Sequence, residues 1–136
     1  MTYLVERLAQ LRRHVNHLRQ LAPRVGDGAD LERDQSLGND VLFSLLMVAQ
    51  LVIDIAGEIS TRRGRTFADY TQAVRNLAGL PGLDDTTVAE LSLLPGFRNV
   101  VMHEYVGIDY DIVAHALTRL EPVEALITAA AREIVE

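Results

Sequence analysis

Apolar residues recur at spacings of three and four along almost the whole chain, and the strict alternation that marks a strand never persists. Leu4, Leu8, Leu11, Val15, Leu18 and Leu21 draw one helical stripe, which ends before Pro23. The stretch from Arg24 to Leu31 contains Gly26 and Gly28 and reads as a loop. Asp34 or Ser36 can cap the next helix, which runs to about Arg63 before Gly64 stops it. This long element carries two adjacent stripes. One is Val41, Leu45, Val48, Val52, Ile55 and Ile59; the other is Leu42, Leu46, Ala49, Ile53 and Ala56. A face that wide belongs to a central helix covered from more than one side. Both sides facing one bundle core, or one side packing against a second copy, would satisfy the pattern equally.

Shorter elements follow. Thr66 is a good N-cap for a helix with Phe67, Tyr70, Val74 and Leu77 as its stripe. Gly79, Pro81 and Gly82 break the pattern, and Asp85 or Thr86 caps a short helix through about Leu94, ahead of Pro95-Gly96. A further short helix covers roughly Phe97 to Tyr105. Asp109 caps the last one, with Ile112, Ala116, Leu120, Val123, Ile127 and Ala130 as its stripe and a kink or break expected at Pro122. The expectation is an all-α fold, an antiparallel bundle of about five helices, in a single domain over residues 1–136.

Composition narrows the chemistry. The chain has no cysteine, which removes thiolate chemistry and disulfides and fits a reducing compartment. The N-terminus lacks the apolar core of a signal peptide, and Asp54 and Glu58 interrupt the longest apolar run, so the expectation is a cytoplasmic protein with no membrane span. The net charge is −6, and all 13 basic residues are arginine. Global acidity argues against a broad nucleic-acid binder, DNA included, but leaves room for a local arginine-lined site, because the guanidinium fork binds phosphate bidentately.

Most of the chain reads as packing. The exception is LLPGFRNVVMHEYVGIDYD, residues 93–111, where Arg98, Asn99, His103, Glu104 and Tyr105 fall within eight residues. Arg98 and His103 stand about 140° apart around a helix axis, so they can flank a cleft but not stack on one face. Metal-free RNA cleavage needs a proton carrier for the 2′- and 5′-oxygens, which imidazole suits, and a fixed cation where charge builds on phosphorus, which guanidinium suits. One such pair is few for a nuclease, and two copies across a two-fold axis would double it. His14, His17 and His115 read as ordinary surface or core residues, since no third ligand for a metal lies near His14 and His17. Arg62, Arg63 and Arg65 suit a solvated helix C-terminus, with contact to RNA or a partner as the other reading.

FRNVVMHEYVGID resembles the Arg-x4-His-x-Tyr signature of HepT-like proteins of the HEPN superfamily, and the likeness extends along most of the chain. LERDQSLGNDVLFSLLMVAQLVIDIAGEIS is similar to that family's long second helix, and the segment from Arg65 to Gly96 to the helices leading into the motif. The resemblance implies a HEPN homodimer with a composite cleft, acting as a metal-independent endoribonuclease toxin without a cofactor. It implies Arg98 and His103 as the catalytic pair and Asn99 as a supporting polar residue. Tyr105 matches the tyrosine that a partner, an MNT-type nucleotidyltransferase antitoxin, modifies with AMP. The competing expectation is a non-catalytic helical dimer in which Arg98 and His103 hold a nucleotide, or which only binds the nucleotidyltransferase.

Overall fold

Leu4, Leu8, Leu11, Val15, Leu18 and Leu21 are all buried, on the inner face of helix α1 (Thr2–Leu21). That face lies along the longest element, α3 (Gln35–Arg62), whose first stripe from Val41 to Ile59 is buried throughout. In the second stripe Ala49, Ile53 and Ala56 are buried, whereas Leu42 and Leu46 stay partly open. The computed structural model describes residues 2–135, with the backbone alone at Val135. Among these residues every regular element is helical.

The remaining elements wrap α3. They are α2 (Gly28–Arg33), α4 (Tyr70–Arg75), α5 (Asp85–Leu91), α6 (Leu94–His103), α7 (Tyr110–Leu117) and α8 (Glu121–Val135). Helices α1, α4, α6 and α7 pack on α3, and α8 closes the bundle against α1 and α5. One apolar cluster unites them. Helix α3 is long and apolar enough to cross a membrane, but it is the spine of this bundle, and its Asp54 is drawn to Arg7 of α1 at 3.9 Å.

Several expected boundaries move. The segment read as a loop holds a 3-10 turn (Ala22–Arg24) and then α2, whose Asp27 and Asp30 form a reciprocal capping box that outweighs the neighbouring glycines. Asp34 caps α3, as expected. Asp69, not Thr66, caps α4, which leaves Phe67 outside the helix and exposed; Tyr70 at its first position is half exposed too. Asp84 caps α5 one residue ahead of the expected position. Pro95 sits in the first turn of α6 rather than before it, where a missing N–H is harmless, and α6 ends at His103, so Tyr105 lies beyond it. The final helix is broken into α7 and α8 across residues 118–120, just ahead of Pro122.

Two close approaches fix the corner where α2 meets α3 and α7. A Cβ on Gly38 of α3 would stand 2.6 Å from the Leu31 carbonyl oxygen of α2, and one on Gly28 would stand 2.5 Å from the Asp111 backbone nitrogen of α7. The Gly28 N–H donates to Asp111 Oδ1 at 3.0 Å, tying α2 to the start of α7. On the opposite flank, His14 Nδ1 lies 3.2 Å from Ser44 Oγ, and His17 Nε2 lies 2.8 Å from Asp40 Oδ1. Burial, helped by Arg13 and His17, holds the His14 imidazole below its ordinary pKa.

Two predictions follow from this packing. Gly38→Ala is expected to destabilise the fold by about 1–3 kcal/mol, because backbone must move to admit the methyl; chemical denaturation of wild type and variant measures it. Because the folded state holds His14 neutral, its contribution is fully present above its unfolded pKa and is lost as pH falls below that value. The melting temperature of wild type should therefore drop more steeply between about pH 7 and 5 than that of His14→Gln, and parallel curves would contradict this.

Candidate functional site

Helix α6 is a ten-residue element that owes its place to a few anchors. Pro95 and Val101 are buried, and Leu94 and Phe97 lean on the core, so one face is committed to α3 and α4. The Glu104 N–H closes the helix on the Val100 carbonyl at 2.8 Å, and the Gly107 N–H turns the chain back onto the Glu104 carbonyl at 3.1 Å. Asp109 Oδ1 then accepts from the Asp111 N–H at 3.0 Å and starts α7. The segment from 104 to 109 is thereby strung between two anchored helices.

Arg98 is half buried. Its guanidinium carbon lies 5.9 Å from the centre of the Tyr70 ring, and its Nη1 donates to Asn99 Oδ1 at 3.1 Å. Among the described residues no carboxylate lies within salt-bridge distance of Arg98, whereas seven other arginines are so paired. His103 ends α6 and is exposed. Tyr105 follows on the turn with 72 % of its surface open to solvent. Within one chain, then, Arg98 and Asn99 are brought together, while His103 ends the helix and Tyr105 follows it, with no hydrogen bond to Arg98 or Asn99 among the described residues. A lone α6 does not close a pocket over both the guanidinium and the imidazole.

A cavity of about 490 Å³ opens on the other flank of α6, between it and α3, α5, α7 and the start of α8. Phe97, Val101, Val113 and Leu120 make it apolar, and Arg119 at its edge is neutralised by Glu90 at 2.8 Å. It offers no uncommitted cation to a phosphodiester. Glu104 is among the residues that line this cavity.

The other candidates are settled locally. His14 and His17 each reach across to α3, and among the described residues no cluster of three or more His, Asp or Glu stands ready for a metal. Arg62 pairs with Glu58 at 2.8 Å, and Arg65 donates to the Ala78 carbonyl at 3.0 Å, so both serve the end of α3. Tyr70 is the residue that sequence reasoning missed. Counted from Thr66 it falls on the inner stripe; counted from the true cap, Asp69, it opens α4 and faces out beside Arg98.

The chain is similar to known proteins along nearly all of its length. The family model described as ribonuclease HepT-like matches residues 8–130. An mRNA nuclease HepT from Shewanella oneidensis is 26 % identical over 131 residues, which cover 91 % of this chain and 92 % of that protein. A tri-AMPylated HEPN toxin of Shewanella oneidensis, solved in complex with MNT antitoxin, superposes with a TM-score of 0.81 at 23 % identity, covering 97 % of this chain and 98 % of that one. A toxin–antitoxin structure with AMP-PNP superposes with a TM-score of 0.78 at 23 % identity, covering 96 % and 98 %.

Proposed function

Because this chain belongs to the HepT-like ribonuclease family, we propose that it is the endoribonuclease toxin of a toxin–antitoxin module, acting in the cytoplasm as a homodimer of single-domain subunits. The observation that carries the reading is the state of Arg98: a guanidinium held in place, with no carboxylate on it, on the same short helix that ends in an open imidazole. The relatives named above are described as an mRNA nuclease and as a HEPN toxin bound to MNT antitoxin, which supports the same assignment.

In this reaction the 2′-hydroxyl attacks the adjacent phosphorus, its proton passes to His103, and the 5′-oxygen leaves with a proton from a second imidazole. The products are a 2′,3′-cyclic phosphate and a free 5′-hydroxyl. Arg98 stabilises the charge that accumulates on the non-bridging oxygens, and Asn99 steadies Arg98 through its amide oxygen. Imidazole and guanidinium together supply proton transfer and charge stabilisation, so the step calls for no metal ion or cofactor. The motif supplies one imidazole per chain, so the second comes from a second subunit, which brings a second pair to the same groove.

Tyr105 is the switch. Its exposed phenol is accessible to a partner nucleotidyltransferase of MNT type, and transfer of AMP would place a phosphodiester anion beside Arg98 and His103. Added negative charge there repels the RNA backbone and competes for the guanidinium.

Arg98→Ala and His103→Ala are each expected to lower the cleavage rate of an oligoribonucleotide in EDTA by about 10²-fold or more, and to relieve growth arrest on expression, with unchanged helical content. Equal cleavage by wild type and His103→Ala would refute the assignment. On co-expression with the partner nucleotidyltransferase, intact-mass measurement should find one or more AMP units on the wild type and none on Tyr105→Phe. A neutralised complex with Tyr105 unmodified rules out the switch.

A further inference from the structure

Tyr70 stands where the resemblance assigns nothing. It opens α4, half of its surface is exposed, and its ring lies under the Arg98 guanidinium carbon at 5.9 Å. That separation is within reach of the attraction between a cation and the negative face of an aromatic ring.

The seat beneath that ring is rigid. The Gln72 N–H donates to Asp69 Oδ1 at 2.8 Å and fixes the first turn of α4. Ala73 and Val74 are buried, and Ser60 Oγ of α3 donates to the Ala73 carbonyl at 3.3 Å. Asn76 donates through Nδ2 to the Thr66 carbonyl at 3.0 Å and accepts from Gln72 Nε2 at 2.9 Å, which closes the approach to α4 as one hydrogen-bonded unit. A ring mounted on such a base restricts a long side chain that would otherwise sample many rotamers.

The kind of contact matters as much as its place. A carboxylate would also hold Arg98 still, as carboxylates hold seven other arginines of this chain, but it would cancel the charge. An aromatic face and the Asn99 amide oxygen restrain the guanidinium and leave its full charge for an incoming phosphate. Tyr70 has no comparable duty in the core, since half of it faces solvent.

We infer that Tyr70 is a positioning residue, which seats the Arg98 guanidinium for the phosphate of the RNA strand being cut. The inference rests on Arg98 acting as proposed above.

The test uses the purified chain without antitoxin, in EDTA, with a fluorogenic single-stranded oligoribonucleotide over a range of concentrations. Tyr70→Leu and Tyr70→Gln are expected to lose about 10-fold or more in kcat with KM nearly unchanged, because a misplaced charge is felt in the transition state. Tyr70→Phe, which keeps the ring face, should recover the lost kcat. In an Arg98→Ala background, adding Tyr70→Leu should change nothing further, since the two residues act as one unit. Thermal melting of each variant separates folding loss from this effect, and Tyr70→Gln stands in if Tyr70→Leu melts early. A kcat within about 2-fold of wild type for a folded Tyr70 variant overturns the inference, and so does a rise in KM alone, which would make Tyr70 a base-stacking contact. If Arg98→Ala itself cleaves normally, the parent assignment falls and this one with it; if Arg98→Ala is inactive and Tyr70→Leu is not, only this one falls.

Discussion

Helix α3 has to be covered over a wide arc, and the rest of the molecule is arranged to do so. Thirteen of its 28 residues are buried, among them Val41, Leu45, Val52 and Ile55. Each large aliphatic side chain taken fully out of water contributes about 1.5–3 kcal/mol, so leaving a flank bare would remove much of the margin of a domain this size. A single partner helix covers too little of that arc. Helix α1 takes one flank, α4, α6 and α7 take others, and α8 returns to lock α1 in place. Small residues make the tightest corner possible, because Gly38 lets the Leu31 carbonyl come down onto α3.

This demand shapes α6. A ten-residue helix that gives Pro95, Val101 and part of Phe97 to the core retains only its outer edge for chemistry. Arg98 falls at the border of that edge, half buried against Tyr70, and His103 falls at the helix end in the open. The same geometry leaves Met102, Tyr105 and Val106 exposed at the end of α6 and on the turn after it. Apolar side chains gathered at a polar edge are typical of a surface that another protein covers, consistent with a cleft completed from outside the chain.

How far the sequence reveals this depends on which signal each element uses. The stripes of α1 and of α3 from Val41 to Ile59 are legible residue by residue, since burial there follows the helical period and nothing competes with it. Helix α2 is not, because Gly26 and Gly28 mimic a loop while the deciding feature, the Asp27–Asp30 box, is a reciprocal pair of bonds in which each carboxylate accepts from the other residue's backbone N–H. The start of α4 hinges on whether Thr66 or Asp69 accepts the first free N–H, and a shift of three residues turns Tyr70 from an inward residue to an outward one. The motif itself is legible as a set of residue types. Its division between the helix and the turn after it is not, because no glycine or proline stands next to His103 to mark the stop.

The acidic balance of the chain, read on its own, points away from RNA. The structure changes the weight of that argument, because charge is distributed and not averaged. Among the described residues seven arginines are answered by nearby carboxylates, so most of the positive charge is already paired within the fold. At physiological salt a surface charge more than about 8 Å away is largely screened, so what an incoming phosphate meets is the local group and not the net charge. Around Arg98 that local group is an unneutralised cation with an aromatic ring beneath it and an amide beside it. The one acid between Arg98 and Tyr105 is Glu104, which lines the cavity. A net charge of −6 is therefore compatible with a phosphate site here. It also gives a reason for binding that depends on a few placed contacts, and for a switch in which one added phosphodiester is enough to cancel the charge of a single guanidinium.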